Sequence, residues 1–143
     1  FWACSPKSGC LSRVISPLQC EPSAYGVLFS RAVRLELGGE ALLTISGTAS
    51  IGQDGRTLYP GSFEPQLEHT LSVIEAILQT QNASFDNIVQ AVLYCRDPEH
   101  MDLMLELSSR AGFPVERAIL QRATICRPDL LCEIEAHAAL PIR

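Results

Sequence analysis

Basic residues never run together in this chain. No Lys or Arg is followed by another, and the formal net charge is −5. A protein that grips a duplex or an RNA backbone carries a basic patch to neutralise phosphates, so nucleic acid is not an expected partner. No apolar stretch reaches the length of a membrane span, and no signal-peptide pattern stands at the start. The expectation is a cytoplasmic protein without a membrane partner. There is no C-x-x-C among the six cysteines, and His69, His100 and His137 are scattered without ligand spacing. Neither a metal nor a cofactor is therefore expected, and the cysteines read as reduced thiols. Disorder is excluded as well, because 47% of the residues are hydrophobic and only 19% are charged.

What is present fits one domain of 143 residues, long enough to bury a core. The chain opens on Phe1 and not on Met, which reads as a fragment or a processed form. Residues 1–24 carry Pro6, Pro17, Pro22 and three cysteines without periodicity. They read as an irregular arm or the end of a preceding domain, and residues 25–143 as the folded domain. Val27–Leu37 is a strand by its alternation, Gly38-Gly39-Glu40 a hairpin turn, and Ala41–Ser50 the returning strand. Leu67, Leu71, Ile74 and Leu78 mark a helix over Glu64–Gln81, with Pro65 tolerated in its first turn. Ile88–Cys95 reads as a buried strand. A helix then opens at Pro98 behind a capping Asp97, runs to about Arg110 and stops at Gly112-Phe113-Pro114.

Two strands close the chain, one beginning at Arg117 and one over Leu130–Ala136. The order β-β-α-β-α-β-β gives an α+β fold, one sheet with both helices on one face. The other face, with residues such as Ile45 and Val92, then needs a covering partner, so self-association is expected.

The final strands carry the chemistry. Alternation puts Arg117 on a face with Ile119, Ala123 and Ile125, and sets Glu133 and Glu135 opposite Cys132 and Ile134. A charge in an apolar strand must be paired or used, because leaving it unpaired costs roughly several kcal/mol. An arginine near a glutamate suits a small carboxylate held beside a group that moves protons. A structural ion pair on a solvated or interface strand fits the same spacing. Arg31, on a face with Val33 and Leu35, reads as an anion contact or as a side chain that snorkels to the edge. His69 reads as a surface residue.

Three strings, Phe29-Ser30-Arg31-Ala32-Val33, Ile45-Ser46-Gly47-Thr48, and Arg117 followed by Glu133-Ile134-Glu135-Ala136, occur in an order that resembles the YjgF/RidA (endoribonuclease L-PSP-like) family over about residues 24–140. The resemblance implies a chorismate-mutase-like α+β fold in a homotrimer, with clefts for small carboxylate metabolites between subunits. It also implies hydrolysis of 2-imino or enamino acids to 2-oxo acids and ammonia. By position, Arg117 would clamp the substrate carboxylate and Glu133 would position water. Phe29 would line the cleft where the family usually has tyrosine, and Ser46, Gly47 and Thr48 would contact the ligand. Leu105 stands where the imine deaminases place asparagine, and the loop between the last two strands is one residue longer than usual. The string Ser46-Gly47-Thr48-Ala49, with Cys126 seven residues before Glu133, is similar to the C-terminal domain of chorismatases. There the glutamate would protonate an enol ether, and Cys126 would help hold water. A non-catalytic metabolite-binding trimer is the remaining alternative.

Overall fold

In a computed structural model, the structure describes residues 9–140. Six strands form one sheet: β1 (Gly9–Val14), β2 (Ala32–Leu37), β3 (Glu40–Thr48), β4 (Ile88–Cys95), β5 (Ala118–Arg122) and β6 (Cys132–Leu140). Two helices complete it, α1 (Phe63–Thr80) between β3 and β4, and α2 (Met101–Arg110) between β4 and β5. The spatial order is β1-β2-β3-β6-β4-β5, with only β4 and β5 parallel. This is the expected α+β arrangement with one strand more.

The added strand corrects the reading of residues 1–24 as irregular. β1 pairs antiparallel with β2 from Gly9↔Leu37 to Val14↔Ala32. Its residues are exposed except at the ends, so no alternation announced it. The reading of Val27–Leu37 as one strand is also corrected. Gly26 takes a left-handed backbone and closes a short turn over Pro22–Tyr25, and pairing starts only at Ala32. The hairpin is as read: Gly38 and Gly39 both have positive φ, which the two-residue turn joining right-twisted strands demands.

The core lies between the helices and one sheet face. Leu67, Leu71, Ile74 and Leu78 of α1 are buried against Leu43, Ile45, Leu93, Ile134 and Ala136. Each fully buried aliphatic side chain contributes about 1.5–3 kcal/mol. Ile45 is therefore on the covered face, which corrects its assignment to the open one. The open face presents alternate positions instead: Thr44, Tyr94, Glu133, Glu135 and His137, all half-buried. Among the described residues no helix is long and apolar enough to cross a membrane, and no three metal-binding side chains cluster.

Candidate functional site at the end of the open sheet face

Glu133 is the centre of the site. It leaves β6 on the open face, opposite Tyr94 of β4, while Cys132 and Ile134 are buried beneath the helices. The β3–β6 register shifts between Ile45 and Thr48, and the irregularity spans Ser46 and Gly47. Hydrogen bonds fix it: Ser46 N–H donates to Arg31 O at 3.0 Å, Ser46 Oγ to Ser30 O at 2.7 Å, and Thr48 Oγ1 to Ser46 O at 2.8 Å. The carboxyl of Glu133 lies against Gly47, where an added Cβ would stand 2.3 Å from Glu133 Oε1. Only glycine leaves that room.

Burial, first, and the neighbouring Glu135 carboxylate, second, push the Glu133 pKa above its ordinary value, and no cation offsets them. A carboxyl in such a setting holds its proton to higher pH and can give it up in a reaction. Cys126 is an exposed residue, yet partial desolvation and then the Glu133 charge raise its thiol. Tyr94 is raised in the same way, by burial and then by Glu135. Behind these groups a small apolar cluster of Ala49, Ile51, Ile125 and Leu130, packed by Tyr94, forms the end wall.

Ser46 and Thr48, expected beside a ligand through their backbone groups, use their side chains to shape the turn. Their hydroxyl protons are committed to backbone oxygens, and Thr48 is 1% exposed. They hold the bend that carries Gly47. Phe29 is exposed at the edge, with its ring 5.2 Å from the Arg31 guanidinium. Arg31 does not snorkel; it is 2% exposed and donates through Nε and Nη2 to Cys20 O. Its Nη2 also donates to the Tyr25 hydroxyl at 2.7 Å.

Arg117 is not beside Glu133 within one protomer. It belongs to a 3-10 turn, Val115–Arg117, ahead of β5, and Nη1 donates to Asp86 O at 3.0 Å and Ile88 O at 2.8 Å. Ala118 pairs with Ala91 and Glu133 with Tyr94. Arg117, one residue before Ala118, is level with Gln90, so the two residues sit roughly 13 Å apart along β4 and on opposite sides of it, at about 3.3 Å of rise per residue. Residues Ala123–Ile125, expected to continue the Arg117 face, have already left the sheet.

Sequence reasoning missed Gln66. It is 0% exposed and ties α1 to the loop that carries Cys126. Its Nε2 donates to Asp129 O at 2.8 Å and Tyr59 O at 3.1 Å, and its Oε1 accepts from Leu131 N at 2.8 Å. A signal existed, since Gln66 falls on the apolar stripe of α1 with Phe63, Leu67 and Thr70. His69, read as a surface residue, is half-buried with Nδ1 3.3 Å from Ser50 Oγ, and desolvation lowers its pKa. Asp97 does not cap through its side chain; Arg96 binds its carboxylate at both oxygens.

Solved structures share this arrangement. A chorismatase structure superposes with a TM-score of 0.77 at 24% identity, covering 90% of this chain but 44% of the chorismatase chain. A putative endoribonuclease L-PSP from Entamoeba histolytica matches with a TM-score of 0.75 at 19% identity, over 92% of this chain and 100% of that one. A member of the YjgF/YER057c/UK114 family from Mycobacterium tuberculosis gives 0.70 at 24% identity, again over 92% and 100%. At these identities the likeness is one of fold. The sequence itself goes further: residues 21–140 match the family described as Endoribonuclease L-PSP, and the chain belongs to that family.

Proposed function

We propose that this chain is a hydrolase of small carboxylate metabolites, acting on an imine, enamine or enol-ether carbon beside the carboxylate. The observation that carries the reading is Glu133, a half-buried carboxyl without a compensating cation, set against Gly47 at the end of the open sheet face. In the leading form the substrate is a 2-imino acid. Protonated Glu133 gives its proton to the imine nitrogen and water adds to the carbon. The resulting carboxylate takes the first proton released by that water and passes it to the nitrogen. As the C–N bond breaks and ammonia leaves, the carbinolamine hydroxyl returns its proton to Glu133, so a 2-oxo acid, ammonia and the starting acid form.

The chain works as a homotrimer in this reading. Leu37, Leu42 and Ile119 are exposed on the sheet and are covered by a second copy. Arg117 keeps its proposed role as carboxylate clamp across the subunit boundary. In its own protomer it stands at the far end of β4 from Glu133, where a neighbour's site can meet it. With a net charge of −5, RNA is not the proposed substrate.

The chorismatase-like form of the reading, protonation of an enol ether, is favoured by one observation: the Cys126 thiol lies within electrostatic range of Glu133. Release of ammonia and 2-oxo acid from freshly generated 2-iminopropionate and 2-iminobutyrate tests the leading form, with Arg117→Ala measured alongside. Acceleration that the substitution removes supports it. Absence of any acceleration by the wild type refutes it in favour of the enol-ether or binding forms.

A further inference from the structure

We propose that Arg31, Arg127 and Tyr25 form a second anion subsite at the same end of the sheet as Glu133 but out of reach of its carboxyl, and that the substrate therefore carries a second acidic group. The inference rests on the reading of the Glu133 cleft as the active site and names what that cleft takes.

Arg31 is a buried guanidinium that no acid among the described residues pairs with. Its partners are the Cys20 carbonyl and the Tyr25 hydroxyl, and the rings of Tyr25 and Phe29 lie 5.6 and 5.2 Å from its central carbon. No ion pair among the described residues includes it, and the nearest acid in sequence to Cys20, Glu21, is held by Arg13. Its third nitrogen, Nη1, has no hydrogen-bond partner among the described residues. It is also absent from the sealed unsatisfied atoms, which are Gln19 Oε1, Glu21 Oε1, His100 Nδ1 and Ser108 Oγ.

A second guanidinium meets the same ring. Arg127 lies with its central carbon 5.3 Å from the Tyr25 centroid, and its Nη1 is anchored on Gly55 O at 2.8 Å. Two like charges thus share one tyrosine, and among the described residues no carboxylate pairs with either of them. Fixed planar guanidinium forks suit a carboxylate, and neutral carbonyl partners leave their positive charge uncompensated. The Tyr25 hydroxyl accepts from Arg31, so its own O–H is free to donate to an anion.

The place fits the chemistry. Arg31 is bonded through its carbonyl to Ser46, the neighbour of Gly47, and Arg127 follows Cys126. Arg31 is thus one hydrogen bond and one residue from Gly47, which touches Glu133, and Arg127 is one residue from Cys126, whose thiol the Glu133 charge helps to raise. Arg117, at the other end of β4, is left for the carboxylate beside the reacting carbon.

Calorimetric titration of the whole chain with paired acids tests this: 2-oxoglutarate against 2-oxovalerate, and 2-oxoadipate against 2-oxohexanoate. The members of each pair differ only in a terminal carboxylate or methyl. The subsite predicts about tenfold tighter binding of the diacid in at least one pair. Arg127→Gln and Tyr25→Phe should each reduce that preference to about twofold while the mono-acid binds as before. Arg31→Gln is not relied on, because loss of its bonds to Cys20 O can disturb the fold. Equal binding within both pairs, or a preference unchanged in Arg127→Gln, overturns the subsite and leaves the cleft reading intact. Binding of no acid at all overturns both.

Discussion

Gly47→Ala separates a role in positioning from a role in folding. The φ of Gly47 is not positive, so alanine fits the backbone there. The added methyl would stand 2.3 Å from Glu133 Oε1 and 2.9 Å from Cδ, whereas ordinary contact begins near 3.4 Å. The carboxyl must therefore retreat by about 1 Å or more, a distance that costs a reacting geometry roughly 100-fold. Stability should hardly change. The atoms in the way are the tip of a flexible side chain, whose strained rotamer costs about 0.5–1.5 kcal/mol. Replacing glycine returns about 0.4–1 kcal/mol through the unfolded chain. The assay pairs denaturant unfolding with turnover of 2-iminopropionate. The expected result is a midpoint close to wild type and a rate down roughly 100-fold. Combining the change with Glu133→Gln should cost little beyond Glu133→Gln alone, because the two act through one group. Undiminished turnover, or a protein that no longer folds, would refute the reasoning.

Three further outcomes follow from the same geometry. The folded-state pKa of Glu133 is raised above an unfolded value near 4.5, so the folded form binds more protons and stability falls as pH rises through that interval. Glu133→Gln should then be at least as stable as wild type at neutral pH in urea unfolding, with the advantage fading below the unfolded pKa. A clear loss of stability at neutral pH would show the carboxylate to be held by a partner. Gln66→Ala strands the buried Leu131 N–H and two carbonyls, and should cost about 2–4 kcal/mol in the same assay. A cost near zero would mean that the strut is not needed. Arg117→Ala removes two backbone contacts and should lower stability by about 1–2 kcal/mol, whatever its catalytic effect. Arg117→Lys kinetics then report the clamp, since lysine lacks the planar fork.

Periodic packing was legible in the sequence. β4 has the bounds its apolar run suggests, and both helices follow their leucine spacing. Alternation alone set Glu133 and Glu135 against Cys132 and Ile134. Local exceptions to periodicity were not legible. Val27, Leu28 and Phe29 look like a strand but are exposed, because the chain turns at Gly26 and pairs only from Ala32. β1 is an exposed edge strand and has no apolar phase to read. The Arg117 face was misread because the 3-10 turn after Pro114 precedes the strand and shifts its start.

At the site, Glu133, Cys126 and Gly47 were singled out by position; the Glu133 carboxyl lies against Gly47, and its charge helps to raise the Cys126 thiol. The contacts of Arg31 and Arg127 with Tyr25 bring together two distant stretches of the chain. No local pattern encodes them.

The most direct measurement compares wild type with Glu133→Gln in the release of 2-oxo acid from freshly generated 2-iminopropionate, at equal folded concentration. The account predicts acceleration by the wild type and a loss of about 100-fold or more in the variant, as for removal of a positioned acid–base group. Equal rates in the two proteins would contradict it.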